Sequence, residues 1–563
     1  MKIKSAIPVF VSVLGLCLAA CKGEQSEPAT EPAPAPAAAP ATDPGAQTGR
    51  PLIEGLGAWS MPITTQSPLA QKYFDQGLRL TYAFNHPEAV RAFEAAEKLD
   101  PECAMCAWGI AYALGPNINL PMDPNAVAPA VAAVANAQAR AAKVTPREQA
   151  YIAAVAARYS AAPDADRAAL DRAYAEQMRA LAKQYPDDPD AQTLTAEALM
   201  DLTPWDYWTK DGEPKGATLE LVALLEGVIQ RNPDHPGANH YYIHAVEASR
   251  EPGRALASAK RLETLATSAG HLVHMSAHTY MRVGHYAAAS LANERGAQAD
   301  EEYLAWCRSG GPYVLAYYPH NLHFLWASQT MEGRSADAIA SAKKLHEKLP
   351  PESVTAFPPA EEQVPVAYFA LVRFGKFDEL LAESAPIESQ RYANGMWHYA
   401  RGAAFAGKGQ LADARAELAK LDAVAADPAL KALLFPAAPA ATLLELASLV
   451  LQAEIAERDG NPAAALAALE TAKGLEYGLN YTEPPSWYLP VRQIQGSTLL
   501  AMKEPAKAEV AFREDLAIYP ENGWALFGLV ESLRAQGKPA DEEQKRFEAA
   551  WTAADIKLEK PRF

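Results

Sequence analysis

The stretch GLRLTYAFNHPEAVRAFEAAEKLDP, residues 77–101, decides the fold. Its pattern consists of small residues and one aromatic at helical spacing with a closing proline, namely Gly77, Ala89, Phe93, Ala96 and Pro101. Small residues let two helices approach closely, and a large residue fills the gap to the next helix. The stretch therefore predicts two short antiparallel helices that pack against each other.

The same spacing returns near the other end of the chain, in Gly496, Ala508, Phe512 and Pro520. Partial copies of the pattern occur at Gly402, Ala414 and Leu418, at Ala453, Ala465, Leu469 and Ala472, and at Trp524, Phe527, Gly528 and Ala540. A unit of about 34 residues with this spacing is typical of the tetratricopeptide repeat (TPR). With 49% hydrophobic residues and no second break in composition, residues 51–563 are predicted to form an all-α fold, an α-α superhelix (TPR-like solenoid).

The first 20 residues have the features of a lipoprotein signal peptide. A basic start leads into an apolar run, residues 6–20, which is too short to span a bilayer well. The run ends in LAAC, residues 18–21, which resembles the lipobox of bacterial lipoproteins. That resemblance implies cleavage before Cys21, lipidation of its sulfur and, because Lys22 follows, an outer-membrane anchor facing the periplasm. The alternative is an ordinary secretory signal with an incidental cysteine.

Residues 21–50 are rich in Pro, Ala, Thr and Glu and contain almost no large apolar side chain. Such a segment cannot bury enough surface to offset the entropy of ordering. We expect a disordered linker between the lipidated Cys21 and the folded part, extended by its prolines.

The formal net charge of -17, without a cluster of Lys and Arg on any predicted helix, argues against a nucleic-acid partner. Attraction to anionic lipid is disfavoured for the same reason, which leaves the lipid anchor as the contact with the membrane. The concave face of a repeat array typically binds peptides, extended segments or partner helices. A protein or peptide ligand is therefore the predicted partner.

Histidines are concentrated in one part of the chain, with eight of the 12 between residues 240 and 323. His240 and His244 form one pair at i and i+4, and His274 and His278 form another, so each pair shares one helix face. The second pair follows the first by 34 residues, the length of one repeat. We expect the pairs on neighbouring first helices, where four imidazoles could converge on one ion.

Four nitrogen donors suit zinc, copper or nickel. The candidate ligands are His240, His244, His271, His274, His278, His320 and His323. Glu247, Asp206 and Asp211 are candidate carboxylate partners or outer acceptors. Two alternatives stay open, namely histidines that only stabilise the repeat interface and a pocket for a polar or carboxylate ligand. No cofactor follows from a motif alone.

The histidine pairs lack the glutamate of the zinc-protease motif. Tyr241 and Met275 follow His240 and His274, at the position where that motif places its general base. We therefore assign no catalytic residue.

Cys103 and Cys106 flank two residues just after Pro101. In an oxidising periplasm they could form a local disulfide or a redox pair. Ala107 follows Cys106, so the haem-attachment motif, which needs histidine there, is absent.

Two loops interrupt the repeat rhythm, at residues 114–123 and 483–490. Insertions in repeat arrays often lie on a binding face. For the second loop we expect only a connector between helix pairs.

Several short runs resemble a widespread set of uncharacterised bacterial TPR proteins, here in lipoprotein form. The runs are Phe84-Asn85-His86 with Glu88-Ala89, residues 103–109 and 114–119, Gly270-His271-Leu272-Val273-His274-Met275, and Tyr318-Pro319-His320-Asn321. The resemblance implies the helical repeat fold and no established activity. It also indicates that His271, His274 and His320 have a role beyond packing within the repeats.

Three hypotheses follow from the sequence. The first is an envelope-anchored scaffold, not an enzyme, that binds a protein or peptide on its concave surface. The second is a periplasmic metal-binding protein or metal-dependent enzyme that uses the histidines between residues 240 and 323. The third is a thiol redox protein that uses Cys103 and Cys106.

Overall fold

The structure is a computed structural model that describes residues 48–307 and 313–563. The predicted signal peptide, Cys21 and the linker up to residue 47 lie outside the described residues. Within the described ranges, no helix combines the length and the apolar character needed to cross a bilayer.

Every regular element in the described ranges is a helix, with isolated β-bridges in three loops. The α-helices, numbered in chain order, are α1 Pro68–Tyr82, α2 His86–Leu99, α3 Ala104–Ala113, α4 Val127–Arg140, α5 Pro146–Ala157, α6 Arg167–Gln184, α7 Pro189–Met200, α8 Thr218–Arg231, α9 Pro236–Val246, α10 Leu256–Leu265, α11 Gly270–Arg282, α12 Tyr286–Cys307, α13 Tyr318–Met331, α14 Ser335–Glu347, α15 Pro351–Ala356, α16 Val366–Arg373, α17 Phe377–Ala382, α18 Arg391–Gly407, α19 Leu411–Ala425, α20 Ala429–Ala432, α21 Ala440–Arg458, α22 Pro462–Gly478, α23 Val491–Ala501, α24 Pro505–Ile518, α25 Gly523–Ala535 and α26 Asp541–Ala550. Short 3₁₀ segments lie at Pro124–Ala126, Ala141–Lys143, Pro252–Ala255 and Pro358–Gln363, and a π segment at Tyr313–Tyr317.

Local sequence explains where many of these helices begin. The side chains of Asn85, Asn461 and Asn522 each accept a hydrogen bond from a backbone N–H in the first turn of the following helix. Such a cap satisfies one of the amide groups that a helix start leaves without a partner.

The packing of the quoted repeat units follows their small and large residues. A Cβ atom on Gly77 would lie 2.7 Å from the ring of Phe93, and one on Gly496 would lie 2.6 Å from the ring of Phe512. Only glycine permits this approach of the first helix to the second. Most helices pack on the next along the chain, and α9, α11 and α13 also contact one another in that order. The predicted all-α fold of stacked helix pairs is confirmed.

The helices α9, α11 and α13 are surrounded on all sides. Nearly every residue in each of them is buried, and α9 also contacts α1 from the start of the array. Polar side chains on these helices have no water to bind, so their hydrogen bonds must be satisfied inside the protein or by a ligand.

Candidate metal centre

The three inner helices bring six histidines together. His240 and His244 lie one turn apart on α9, the second pair lies on α11 with His271 one turn before it, and His320 lies in the first turn of α13. Because α11 contacts both α9 and α13, the imidazoles of three successive first helices meet in one buried region. The predicted placement of the pairs on neighbouring helices agrees with this arrangement.

The six imidazoles fall into two sets of three. The His271 set contains His240, His244 and His271, and the His320 set contains His274, His278 and His320. In each set, one nitrogen from every ring lies within 4.8 Å of the other two. The single four-histidine site that the sequence suggested is replaced by this grouping, because His271 and His320 each join a different pair.

Hydrogen bonds fix the orientation of the α11 pair. Nδ1 of His278 donates to Oε2 of Glu247 over 2.6 Å, and Nδ1 of His274 donates to Oδ1 of Asn293 over 2.7 Å. A carboxylate oxygen only accepts, so the proton of His278 is on Nδ1 and its Nε2 carries a lone pair. With the side-chain amide of Asn293 oriented as in the structure, the same holds for His274.

These two lone pairs face each other. Nε2 of His274 lies 3.1 Å from Nε2 of His278, and with this orientation of the Asn293 amide neither nitrogen carries a proton. Two lone pairs at this distance repel, whereas a cation between them would attract both. Two imidazole nitrogens at about 2.0–2.1 Å from a tetrahedral zinc ion would be roughly 3.3 Å apart, close to the observed separation.

In the His271 set, two of the three rings are oriented through Nδ1 in the same way. Nδ1 of His240 donates to the carbonyl of Tyr82 over 2.6 Å, and Nδ1 of His244 donates to Oε1 of Glu247 over 2.8 Å. Nε2 of His240 lies 3.2 Å from Nε2 of His271. Nε2 of His244 and Nδ1 of His271 are buried without a hydrogen-bond partner among the described residues. His240 and His244 therefore also present bare Nε2 atoms.

The surroundings disfavour the charged form of four of the imidazoles and favour the ionised form of the central carboxylate. Burial, together with repulsion by neighbouring histidines, lowers the pKa of His240, His271, His274 and His320 well below the usual value. Burial alone would raise the pKa of Glu247, but hydrogen bonds and charge interactions with His278 and His244 lower it to about 2. Neutral imidazole is the form that binds metal ions.

Aromatic side chains enclose both sets. The ring of Phe84 lies 4.4 Å from that of His240, and the ring of Phe324 lies 4.4 Å from that of His278. Phe84 adopts a φ of 57°, a left-handed conformation that bulky residues rarely occupy. This strained backbone places an apolar ring directly against the His271 set.

The first interrupting loop and a tyrosine that precedes the second loop reach the centre. Asn119 of the first loop accepts from Nε1 of Trp205 and donates to the hydroxyl of Tyr317, and these two aromatics pack on His244 and His271 respectively. In the segment around the second loop, the hydroxyl of Tyr481 lies 3.4 Å from Oε2 of Glu247. Tyr481 precedes residues 483–490, so the expectation that the second loop is only a connector between helix pairs stays a prediction.

A cavity of about 430 Å³ lies beside the His271 set. Its wall includes Ala83 and Asn85, the two neighbours of Phe84, and Tyr313 and Ala269 near the start of α11. The segment that follows the linker also lines it through Leu52 and Ile53 among other residues.

The other candidate residues lie elsewhere. His323 stacks on Trp326 with ring centres 5.4 Å apart and belongs to neither set. Asp206 is exposed and pairs with Lys215, and Asp211 is also exposed. Of the three proposed carboxylates, only Glu247 lies at the centre.

The structure joins Cys103 and Cys106 in a disulfide at the start of α3. Both residues are buried. Exchange with an external thiol needs an accessible sulfur, so this position disfavours the redox hypothesis.

Several residues of the centre could not be found from the histidine pattern. Asn293 lies on α12 and belongs to no recognisable motif. The group of Tyr82 that accepts from His240 is a backbone carbonyl, which the sequence does not mark. Phe84 is more than 150 positions from His240, the histidine that its ring contacts. The resemblance to the uncharacterised TPR set marked Phe84 and gave it no role. Only Glu247, three residues after His244, carried a local signal.

No family model matches the sequence. No curated protein matches it either. Similar solved structures include the human IFIT1 dimer with m7Gppp-AAAA, at 12% identity and a TM-score of 0.33, with 88% of this chain and 92% of that chain covered. The structure of Naa15/Naa10 bound to HypK-THB has 13% identity and a TM-score of 0.22 over 85% of this chain and 70% of that chain. The yeast Tom70 structure has 11% identity and a TM-score of 0.28, with 85% and 90% covered. At TM-scores this low, the likenesses carry no argument about function.

Proposed function

We propose that this protein binds transition-metal ions, of the zinc, copper and nickel class, at the buried histidines of α9, α11 and α13. The observation that carries the proposal is the contact between Nε2 of His274 and Nε2 of His278 at 3.1 Å, with both Nδ1 protons already donated to oxygen. A metal ion is the partner that satisfies both nitrogens at once.

His235 shows how a purely structural histidine is arranged in the same protein. Its Nδ1 accepts a hydrogen bond from the backbone N–H of Ala238, and its Nε2 lies 3.3 Å from Oδ1 of Asp190. Both nitrogens therefore have a partner of opposite polarity. Nε2 of His244 has no hydrogen-bond partner among the described residues, and the Nε2 atoms of His274 and His278 face each other, which favours ligation over a role in packing.

The oxygen acceptors around the centre support ligation in a second way. Metal-binding imidazoles almost always donate the other ring N–H to a carboxylate, a carbonyl or water, which fixes the ring and raises its basicity. Glu247, Asn293 and the carbonyl of Tyr82 provide such acceptors for four of the six rings. An all-imidazole donor set suits zinc, copper or nickel and disfavours magnesium and calcium, which prefer oxygen.

The location of this function is a separate part of the proposal. The LAAC pattern at residues 18–21 supports a lipid anchor on Cys21 in the outer membrane, with the folded part in the periplasm. A protein or peptide partner, as for many helical repeats, is proposed for the outer surface, because the chain itself buries α9, α11 and α13.

Metal analysis of the full chain tests the proposed function. The purified protein is stripped with a chelator, reloaded separately with zinc, copper or nickel in the presence of a weak competing chelator, desalted and measured by elemental analysis. We expect stoichiometric retention of at least one of these metals, and a lower metal content in the His274→Ala/His278→Ala double variant. The matched control is His346→Ala/His398→Ala, which removes two histidines outside both sets. Equal retention by the two double variants, or none by the wild type, would refute the proposal.

A further inference from the structure

The two histidine sets point to more than the presence of a metal. We infer that the centre holds two metal ions, one on each three-histidine set, and that these neighbouring ions are copper. This inference rests on the proposed function and deepens it.

The number and grouping of the nitrogen donors support the presence of two ions. Six imidazoles exceed the four ligands of a tetrahedral ion, and the two sets share no residue. Each set contains one close contact between Nε2 atoms, 3.2 Å for His240 with His271 and 3.1 Å for His274 with His278, and a third ring within reach. Each set thus offers three nitrogen ligands, one fewer than a tetrahedral ion takes.

Glu247 ties the sets together without belonging to either. Its Oε1 accepts from His244 of the first set and its Oε2 accepts from His278 of the second. The rings of these two histidines have centres 5.1 Å apart, and those of His271 and His274 have centres 5.6 Å apart. The two sites are therefore adjacent, which makes a pair of ions that share one small bridging ligand the natural occupant.

The charge of the region supports the assignment of the two ions to copper. Imidazole binds metal ions as the neutral base, and among the described residues Glu247 is the carboxylate that accepts hydrogen bonds from rings of both sets. Two divalent ions would introduce four positive charges into a buried, aromatic-lined space, which is strongly unfavourable without compensating anions. Monovalent copper halves that charge, and imidazole is among the ligands that suit copper.

Anaerobic loading with copper(I) alone tests the inference on the full chain. The metal-free protein is titrated in the presence of a competing copper(I) chelator, desalted and analysed for copper per chain. We expect two copper ions in the wild type, one in His271→Ala, one in His320→Ala and none in the variant with both substitutions. The control His323→Ala, which changes a histidine outside both sets, is expected to keep two.

Oxidation of the loaded samples gives an independent readout. Neighbouring copper(II) ions couple magnetically, so the paramagnetic resonance signal of the wild type should be smaller than its copper content. In His271→Ala and His320→Ala, the remaining ion is alone, and the signal should equal the copper content. A single-set variant that still holds one ion is also shown to be folded.

The results that would contradict two copper ions differ from those that would contradict metal binding altogether. One copper per wild-type chain, lost from both single variants, would establish one shared ion, so the inference would fail and the proposed function would stand. Two ions with full signal in the wild type would contradict adjacency. Retention of zinc or nickel without copper would overturn the assignment to copper. Absence of every tested metal from a helical wild-type chain would overturn both.

Discussion

Nδ1 of His278 donates a hydrogen bond to Oε2 of Glu247 over 2.6 Å, although the two residues lie on successive repeats. The same carboxylate accepts from His244 through its other oxygen. One side chain at the end of α9 therefore fixes the rings, and the Nε2 directions, of a histidine from each set.

Glu247→Gln should weaken metal binding by about 10–100-fold, the range typical for loss of an outer acceptor. The neutral amide keeps one oxygen acceptor and replaces the other with a donor, so one of the two imidazoles loses its orientation. Isothermal titration with competing chelator measures the affinity. Glu226→Gln, which changes a carboxylate outside the centre that accepts from Tyr242 and Arg254, serves as the control. An unchanged affinity in Glu247→Gln would contradict the role assigned to this carboxylate.

His271→Leu should not lower the free energy of unfolding of the metal-free chain. The imidazole has a buried nitrogen without a partner among the described residues, and leucine fills similar space without a polar group. In the wild type, metal at 100 times its dissociation constant should add about 2.7 kcal/mol for an occupied site. His271→Leu should lose the part of this stabilisation that comes from metal bound at the His271 set.

Urea titrations of the wild type and His271→Leu, with and without metal, measure both effects. A histidine with a purely structural role would give the opposite pattern. If the contact between His271 and His240 only held the helices together, the variant would lose about 1–3 kcal/mol without metal. The response to metal would then be the same in both proteins.

Gly496→Ala should destabilise the protein by about 1–3 kcal/mol, the usual effect of overpacking. The new methyl group would lie 2.6 Å from the buried ring of Phe512, so the ring or the helix must shift. Gly474→Ala is the matched control, since Gly474 lies on a helix with no atom within 4 Å of an added Cβ. That change should stabilise the protein by about 1 kcal/mol through helix propensity. Equal effects of the two substitutions in thermal unfolding would contradict the packing assigned to the repeat glycines.

Asp515 should make stability depend on pH. Burial raises its pKa to about 6, against hydrogen bonds from Gln493 and Asn522 that lower it. The unfolded chain releases this proton near pH 4, while the folded chain keeps it up to about pH 6. The contribution is therefore fully present below about pH 4 and is lost as the pH rises through about 6, by at most about 1.4 kcal/mol per pH unit.

Urea unfolding of the wild type and Asp515→Asn between pH 4 and pH 7 measures this contribution. The difference in unfolding free energy between the two proteins should change across the lower part of the range and be constant above about pH 6. The exposed Asp164→Asn is the control. A difference that does not vary with pH would show that Asp515 is ionised in the folded protein throughout.

The helical repeat and the neighbourhood of the two histidine pairs could be predicted because both depend on spacing along the chain. Gly496 and Phe512 belong to one repeat, and His240 and His274 are separated by one repeat length. The two residues of each pair lie within one repeat or one repeat length apart, so the 34-residue period is enough to predict that they are close.

The division into two sets could not be predicted, because it depends on contacts that the period does not encode. His271 lies outside the repeated pairs and joins His240 because the N-terminal turn of α11 packs on α9. Tyr481 reaches Glu247 from a segment more than 200 positions away. The carbonyl of Tyr82 is available to His240 only because α1 packs against α9, and no side-chain pattern reveals a backbone acceptor.

Anomalous scattering from crystals of the metal-loaded chain, recorded on both sides of the absorption edge, tests the central claim most directly. The account predicts a metal peak within coordination distance, about 2.0–2.1 Å for zinc, of Nε2 of both His274 and His278. No peak between these nitrogens in crystals whose metal content is stoichiometric, with the metal bound instead at surface residues, would contradict it.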